Sequence, residues 1–344
     1  MAEERINHQW RLASRPTGRL GQGDFTWHEE PLPAPGEGQA IVRVVHLSLD
    51  PTQRIWASDM PQYMPPVEIG EVMRGGGIGI VEESRIAGLA PGDLVSGLVG
   101  WQERVLVDES APLSRITPAP GVPLTAYLGL FSHIGATAYF GLKDVAPALA
   151  GETVVVTAAA GAVGSIAGQI AKAKDCRVIG VAGTDEKCRW ITEELGVDVA
   201  INYKAEPDLT AALGRACPNG IDVVFENVGG AQLDASLSHI NLGGRIAICG
   251  LISTYEAQSP VPGPYRFSNV LMKRVRVRGF IVSDFIERFP EAMQALGEWY
   301  GERKVKYRVD MVDGLENAPS ALNKLFDGTN KGKLIVKVSN EPNS

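Results

Sequence analysis

The chain has 344 residues, of which 44% are hydrophobic and 21% charged, and its formal net charge is −7. This length predicts two domains, and the composition is that of a globular protein. The absence of a basic tract or arginine-rich helix excludes nucleic acid as an expected partner. The N-terminal run MAEERINHQW is charged and lacks the apolar core of a secretory signal. Cys176, Cys188, Cys217 and Cys249 form neither a CxxC pair nor a metal-binding spacing. Reduced thiols and a cytoplasmic location are therefore expected.

In chain order, residues 39–47 (QAIVRVVHL) alternate in part like a strand, and Gly77–Glu82 and Asp93–Leu98 are further short β-rich runs. Turn signals such as Pro33-Ala-Pro-Gly36 and Pro91-Gly-Asp93 punctuate them. The head of the chain thus reads as mostly β, in the manner of a small barrel. After residue 130 strands and helices alternate. The strand candidates are 153–157, 177–181, 199–202, 221–226, 245–249 and 276–282, with helical patterns between the first five. That alternation predicts an α/β domain with six strands in a doubly wound parallel sheet. Glu316–Phe326 then reads as a helix and Lys333–Val338 as a strand. The tail is expected to return to the head, leaving a cleft between two lobes, and Asn340–Ser344 to fray.

The richest stretch is Thr153–Thr184. A β-branched run leads into Ala158-Ala-Ala-Gly161-Ala-Val-Gly164, an Ala-rich helical pattern follows to Lys174, and a second β-branched run covers Arg177–Val181. Strand, glycine turn, helix and strand in this order place backbone N–H groups and a helix N-terminus where a pyrophosphate sits. Residues 153–171 carry no charge, yet they hold the glycine turn, so they read as a buried strand and helix rather than a membrane span. An NAD site usually ends its second strand in an acid that binds the ribose 2′-hydroxyl. Here that strand ends Val181-Ala-Gly-Thr184, followed by Asp185, Glu186 and Lys187. Gly183 opens space, Thr184 donates, Lys187 supplies positive charge, and Tyr203 closes over the same place, so NADPH is the expected cofactor. Thr184 or Asp185 also serves as a helix cap, which leaves Lys187 the alternative of a solvated face.

A dinucleotide fold does not name a reaction. Zinc alcohol dehydrogenases need a Cys/His ligand set in the β-rich head, and this head has no cysteine. His8, His28 and His46 lack ligand spacing, so no metal is expected. Tyr139-Phe-Gly-Leu-Lys143 has the Tyr-x-x-x-Lys spacing of short-chain dehydrogenases, but it precedes the glycine turn and reads as helix surface and core. Hydride addition to a conjugated alkene needs only a hydrogen-bond donor at the enolate oxygen, which a tyrosine, a ribose hydroxyl or water supplies.

Leu47-Ser-Leu-Asp-Pro51 with Arg54, Ala136-Thr-Ala-Tyr-Phe-Gly-Leu142, Ala158–Ser165, Gly183–Lys187, Asn202-Tyr-Lys204, Asp222–Gly229, Cys249–Ser253, Gly279–Asp284, and Asn330 with Gly332-Lys333 form an ordered set of blocks. On these the chain resembles the zinc-independent medium-chain dehydrogenase/reductase superfamily, and within it the NADPH-dependent alkenal double-bond reductase and prostaglandin reductase group. The resemblance implies a GroES-like β-rich catalytic domain (1–130, completed by 311–344) and a Rossmann dinucleotide-binding domain (131–310). It implies cofactor contacts at Ala162, Val163, Gly164 and Ser165, with Lys187 and Tyr203 near the 2′-phosphate. Asn227, Cys249, Gly250, Leu251, Ile252, Ser253, Tyr255, Phe280, Ile281, Val282 and Asn330 would line the rest, although the apolar members equally suit sheet core. Homodimers are common in the group.

Two positions depart from the group's pattern. Met272 stands where relatives often carry tyrosine, and Thr52 follows Asp50-Pro51 where many have tyrosine. The remaining donor candidates are Tyr265 in Pro262-Gly-Pro-Tyr265, Tyr63, and His133, the last with the alternative of a satisfied core histidine. Trp56, Met60, Tyr63 and Met64 read as an apolar, adaptable wall, and Ser253–Arg266 as a lid. A small hydrophobic or aromatic enal or enone is the expected substrate. Quinone reduction, a non-enzymatic NADPH-binding role and a zinc alcohol dehydrogenase are the competing readings, and the cysteine-free head argues against the last.

Overall fold

The computed structural model describes residues 5–342. Residues 1–4 and the last two of the expected fraying tail lie outside the described residues. Two compact units emerge. One takes the chain up to Leu128, then Val309–Asn330 and everything from Leu334; the other takes Gly129–Arg308 and Lys331–Lys333.

The first unit opens with β1 (Ile6–Leu12) and β2 (Phe25–Pro31), which pair antiparallel as a two-stranded sheet. β3 (Gln39–Ser48) is followed by the short helix α1 (Thr52–Trp56), β4 (Gly76–Ser84), β5 (Leu94–Leu98), β6 (Arg104–Asp108) and β7 (Leu113–Ile116). The alternation read over 39–47 is an understatement: nearly all of β3 is buried, because it lies inside the sheet. It pairs with β4 and β6, and at its far end with the returning tail.

The second unit carries α2 (His133–Phe140), β8 (Thr153–Val156), α3 (Ala162–Ala173), β9 (Arg177–Ala182), α4 (Asp185–Glu193), β10 (Val199–Asn202) and α5 (Leu209–Ala216). It continues with β11 (Ile221–Glu226), α6 (Gly230–Ser238), β12 (Ile240–Ile248), α7 (Ser268–Met272), β13 (Arg276–Gly279) and α8 (Phe289–Gly301). Its strands form one parallel sheet in the order β10-β9-β8-β11-β12-β13. β8 and most of β9 and β11 are buried, which is why they read as continuous apolar runs. α2, α3 and α8 share one core cluster with β8 and β9. α5 and α6 belong to another, with Val155, Ile179 and Val224 of the opposite strand faces. The uncharged stretch 153–171 is thus a buried strand, a turn and a buried helix. Among the described residues no helix is long and apolar enough to cross a membrane.

The sixth strand is shorter than its apolar run. It ends at Gly279, and Val282–Arg288 coils into a 3₁₀ turn. The run 280–282 is apolar because Phe280 and Val282 pack against the α2/α3/α8 core, not because they extend the sheet.

The chain then returns to the first unit as β14 (Val309–Asp313), α9 (Ala318–Asp327) and β15 (Lys333–Lys337). Leu322 and Val336 bury themselves with Leu47, Met73 and Trp101. The tail is tied beyond Ser339, since Arg43 donates to the Asn340 carbonyl at 2.9 Å and the buried His46 ring lies 2.8 Å from Glu341.

Candidate functional site

The C-terminal ends of all six parallel strands lie at one end of the sheet, and the turn after each holds a residue singled out in the sequence. They are Thr157–Gly161, Gly183, Tyr203, Asn227, Cys249 and Phe280. A doubly wound sheet binds ligands at that end.

The first turn is built for close approach. Ala158 adopts a left-handed φ of 47°, the Ala159 N–H donates to Val181 O at 3.0 Å, and Gly161 N–H returns to Ala158 O at 2.8 Å. A Cβ at Gly164 would stand 2.3 Å from that same Ala158 carbonyl, so only glycine lets the first turn of α3 fold over the strand end. Ala162 and Val163 are half-buried, and Gly164 and Ser165 are buried. Ser165 Oγ turns inward to Ala162 O at 3.2 Å. The returning segment abuts this turn: Gly332 bridges to Gly161 in parallel fashion, and the Lys333 N–H donates to Arg308 O at 2.8 Å. Asn330 is buried in the first unit.

The corner between β9 and β10 holds the second group. Thr184 caps α4, its hydroxyl accepting from the Lys187 N–H at 3.2 Å. A Cβ on Gly183 would lie 3.2 Å from the Tyr203 ring and 3.5 Å from Lys204 Cε. Gly183, Tyr203 and Lys204 therefore meet at one corner, with Thr184 and the backbone of Lys187 beside them. The nearby acids face elsewhere. Asp185 accepts from Asn202 at 2.7 Å, and Glu186 pairs with Lys331 at 2.7 Å, which lowers its pKa. Lys187 and Lys204 put two lysines at this corner, between the strand ends of β9 and β10. Lys204 entered the sequence reading only as part of the block Asn202-Tyr-Lys204, with no site role.

The third group is a seam built on two buried polar residues, Glu226 and Thr157. Glu226, fully buried at the end of β11, accepts on Oε1 from Thr157 Oγ1 (2.8 Å), Val228 N–H (2.6 Å) and Gly229 N–H (2.8 Å). Burial pushes its pKa up. Asn227 donates its backbone N–H to Thr157 Oγ1 at 2.8 Å and its amide to Thr157 O at 2.7 Å. The Cys249 N–H (2.9 Å) and Gly250 N–H (3.1 Å) donate to Glu226 O. Ser253 Oγ donates to Val228 O at 2.6 Å, and Tyr255 OH accepts from Leu251 N–H at 3.1 Å. Asn227, Cys249–Ser253 and Tyr255 are thereby one connected layer, with Ile252 N–H donating to Asn227 O at 3.2 Å. Glu226 was passed over in the sequence, where an acid closing a buried strand was the available signal.

The cysteines are free, and burial raises each thiol's pKa: Cys217 to about 11 and Cys249 to about 12, with Cys176 and Cys188 shifted the same way. The Tyr139–Lys143 pair is consumed by structure. Tyr139 OH donates to Glu291 at 2.9 Å, and Lys143 bonds both Tyr139 (3.1 Å) and Glu291. Among the described residues no group of three or more His, Cys, Asp or Glu could hold a metal ion.

Of the remaining candidates in the second unit, His133 is exposed at the first position of α2 rather than packed in the core. Tyr265 is 83% exposed on the loop before α7, and Met272 ends α7 at 61% exposure. Phe280 packs on the core and stacks edgewise on Phe285, while Ile281 is exposed. A mainly apolar cavity of about 870 Å³ lies along the loop, lined by Gly229, Leu233, Leu251, Val261, Pro264 and Tyr265 among others. In the first unit Tyr63, half-exposed, lies 2.6 Å from Thr52 Oγ1 and accepts from the Trp56 indole N–H at 3.0 Å. The Arg74 guanidinium sits 5.5 Å from the Trp56 ring centre.

Two family models match the chain: "N-terminal domain of oxidoreductase" over residues 8–114 and "Zinc-binding dehydrogenase" over 162–298. The chain is 44% identical to the NADPH-dependent curcumin reductase of Escherichia coli, over 98% of this chain and 99% of that protein. It is 39% identical to a 2-alkenal reductase (NADP(+)-dependent) of Nicotiana tabacum, over 99% and 100%. The crystal structure of CurA in complex with NADPH from Vibrio vulnificus superposes with a TM-score of 0.91 at 42% identity, covering 97% of this chain and 100% of that one. On whole-chain identity, the two family models and the shared fold, the chain belongs to the zinc-independent medium-chain dehydrogenase/reductases, in their alkenal and enone reductase group.

Proposed function

We propose that the chain reduces the C=C bond of α,β-unsaturated aldehydes and ketones with NADPH, without zinc. The observation that carries the cofactor choice is the corner where Gly183 lies against Tyr203 and Lys204 and Thr184 caps the helix that begins Asp185-Glu-Lys187, with no acid closing β9. The reaction class rests on the relatives, whose names include curcumin, 2-alkenal and (+)-pulegone reductases.

Bound NADPH supplies the hydride that reaches the substrate β-carbon. The chain's own residues hold and orient it. Ala162–Ser165 receive the pyrophosphate at the start of α3, and Lys187 and Tyr203 bind the 2′-phosphate. Asn227, Cys249–Ser253, Tyr255, Phe280–Val282 and Asn330 line the remaining length. Residues 1–130 with 311–344 form the catalytic domain, and 131–310 the dinucleotide domain.

At the substrate, Tyr63 is the donor to the developing enolate oxygen. Its phenol oxygen already accepts from Trp56, which leaves its O–H to donate, and Thr52 Oγ1 is the neighbour to exchange the proton with. Tyr63 thus supplies the phenol that the chain lacks at positions 52 and 272. Tyr265 and His133 stand as exposed alternatives, with Met272 on the substrate wall. The substrate is a small hydrophobic or aromatic enone or enal. The protein works in the cytoplasm as a homodimer, which the exposed edge strand β13 and the exposed Phe267, Leu271 and Ile286 favour.

The test is NADPH oxidation with a conjugated enal, a conjugated enone and a quinone, followed by product identification. A saturated carbonyl is expected. Quinol alone would reassign the chain as a quinone reductase, and NADPH binding without turnover would favour a binding protein. Tyr63→Phe should lower kcat about a hundredfold with an unchanged NADPH Michaelis constant. Tyr265→Phe having that effect instead would move the donor to the loop.

A further inference from the structure

We infer that Glu226, which contacts no substrate, is a positioning residue for the dinucleotide: it holds the Asn227–Gly229 turn and the Cys249–Ser253 loop in their binding shape. The inference rests on the proposed NADPH reading.

The geometry is specific. A carboxyl group buried at the middle of a parallel sheet is costly, and an apolar side chain of similar volume would serve the fold better. Here one oxygen, Oε1, gathers three donors from two segments: Thr157 at the end of β8, and Val228 and Gly229 after β11. The same residue's backbone carbonyl takes the N–H groups of Cys249 and Gly250. Three turns at the ligand-binding end of the sheet are therefore registered to one residue. The first of them holds a strained backbone, since Ala158 has a left-handed φ of 47°, whereas Gly229 (79°) and Gly230 (52°) adopt theirs without strain. The effect passes on through Thr157, whose hydroxyl donates to Glu226 while accepting from the Asn227 N–H. The other carboxyl oxygen, Oε2, is buried without a hydrogen-bond partner among the described residues.

The experiment measures NADPH and NADH dissociation constants directly, by cofactor fluorescence, together with the Michaelis constants for cofactor and enone. Glu226→Ala strands three buried donors and should weaken both cofactors about tenfold or more, while the enone Michaelis constant stays within about twofold. Glu226→Gln retains the acceptor oxygen and should restore affinity to within about threefold of the parent. Should Glu226→Ala fail to fold, Thr157→Val removes only the hydroxyl that links Glu226 to Asn227, and should weaken both cofactors about threefold with an intact melting transition. Unchanged cofactor affinity in folded Glu226→Ala, or in Thr157→Val, would overturn the inference. So would equal losses in cofactor and enone constants. If the parent protein itself failed to bind NADPH, the functional reading would fall first.

Discussion

The Gly183–Lys204 corner and the Glu226 seam sit at the same end of one sheet and solve opposite problems. In the proposed reading the corner uses charge, with Lys204 beside Gly183 and the Tyr203 ring and Lys187 in the first turn of α4. The seam is anchored on the buried Glu226 and Thr157 and uses shape, its hydrogen bonds holding three backbone turns. The difference teaches where discrimination lives. A charged corner can tell a phosphate from a hydroxyl, whereas a registered backbone serves either cofactor alike.

That division can be broken by mutation. Gly164→Ala should be the most damaging, because its methyl meets a backbone carbonyl that cannot turn aside. A loss of about 3 kcal/mol in stability is expected by denaturant unfolding, with NADPH and NADH affinity falling together. Lys187→Ala should raise the NADPH Michaelis constant about thirtyfold, the worth of a hydrogen bond to a charged group, and leave NADH within about twofold. Equal effects on both cofactors would show that Lys187 does not read the phosphate. Thr184→Ala removes the cap of α4 and should cost about 1 kcal/mol of stability, read as a lowered urea midpoint.

The smallest effect is a pH dependence in the seam. The folded-state pKa of Glu226 is raised above its ordinary 4.5, so the protonated acid is the form that the fold prefers. Its contribution is fully present below pH 4.5 and is lost as pH rises through the folded value. Stability of the parent relative to Glu226→Gln should therefore fall as pH climbs above 4.5. A difference that rises instead would mean that the carboxylate is the favoured form.

Much of this molecule was legible in its sequence. Six strands and their glycine turn announced themselves through β-branched runs and spacing, because a parallel sheet buried on both faces leaves a continuous apolar trace. The corner was legible for a different reason: the change from an acid to Gly183-Thr184 with a following lysine alters the sign of charge at a known position. Glu226 was not, because its importance lies in three donors brought from residues 157, 228 and 229, and no local pattern reports such a convergence. The length of the sixth strand also escaped, since Phe280 and Val282 are as apolar in a core-facing turn as in a strand. Tyr63 was legible as one of three donor candidates, but its hydrogen-bond partners, Thr52 and Trp56, were not.

The state of the four cysteines has a chemical consequence. Conjugated enals and enones are Michael acceptors, and their commonest protein target is the thiolate. Every cysteine here has its ionisation pushed above the ordinary range, Cys249 beside the Glu226 seam to about 12. Each shift moves the sulfur further toward the thiol than in an ordinary cysteine. A catalyst that handles thiol-seeking electrophiles thus offers them less thiolate to alkylate, and the burial that packs its sheet also protects it from its own substrates.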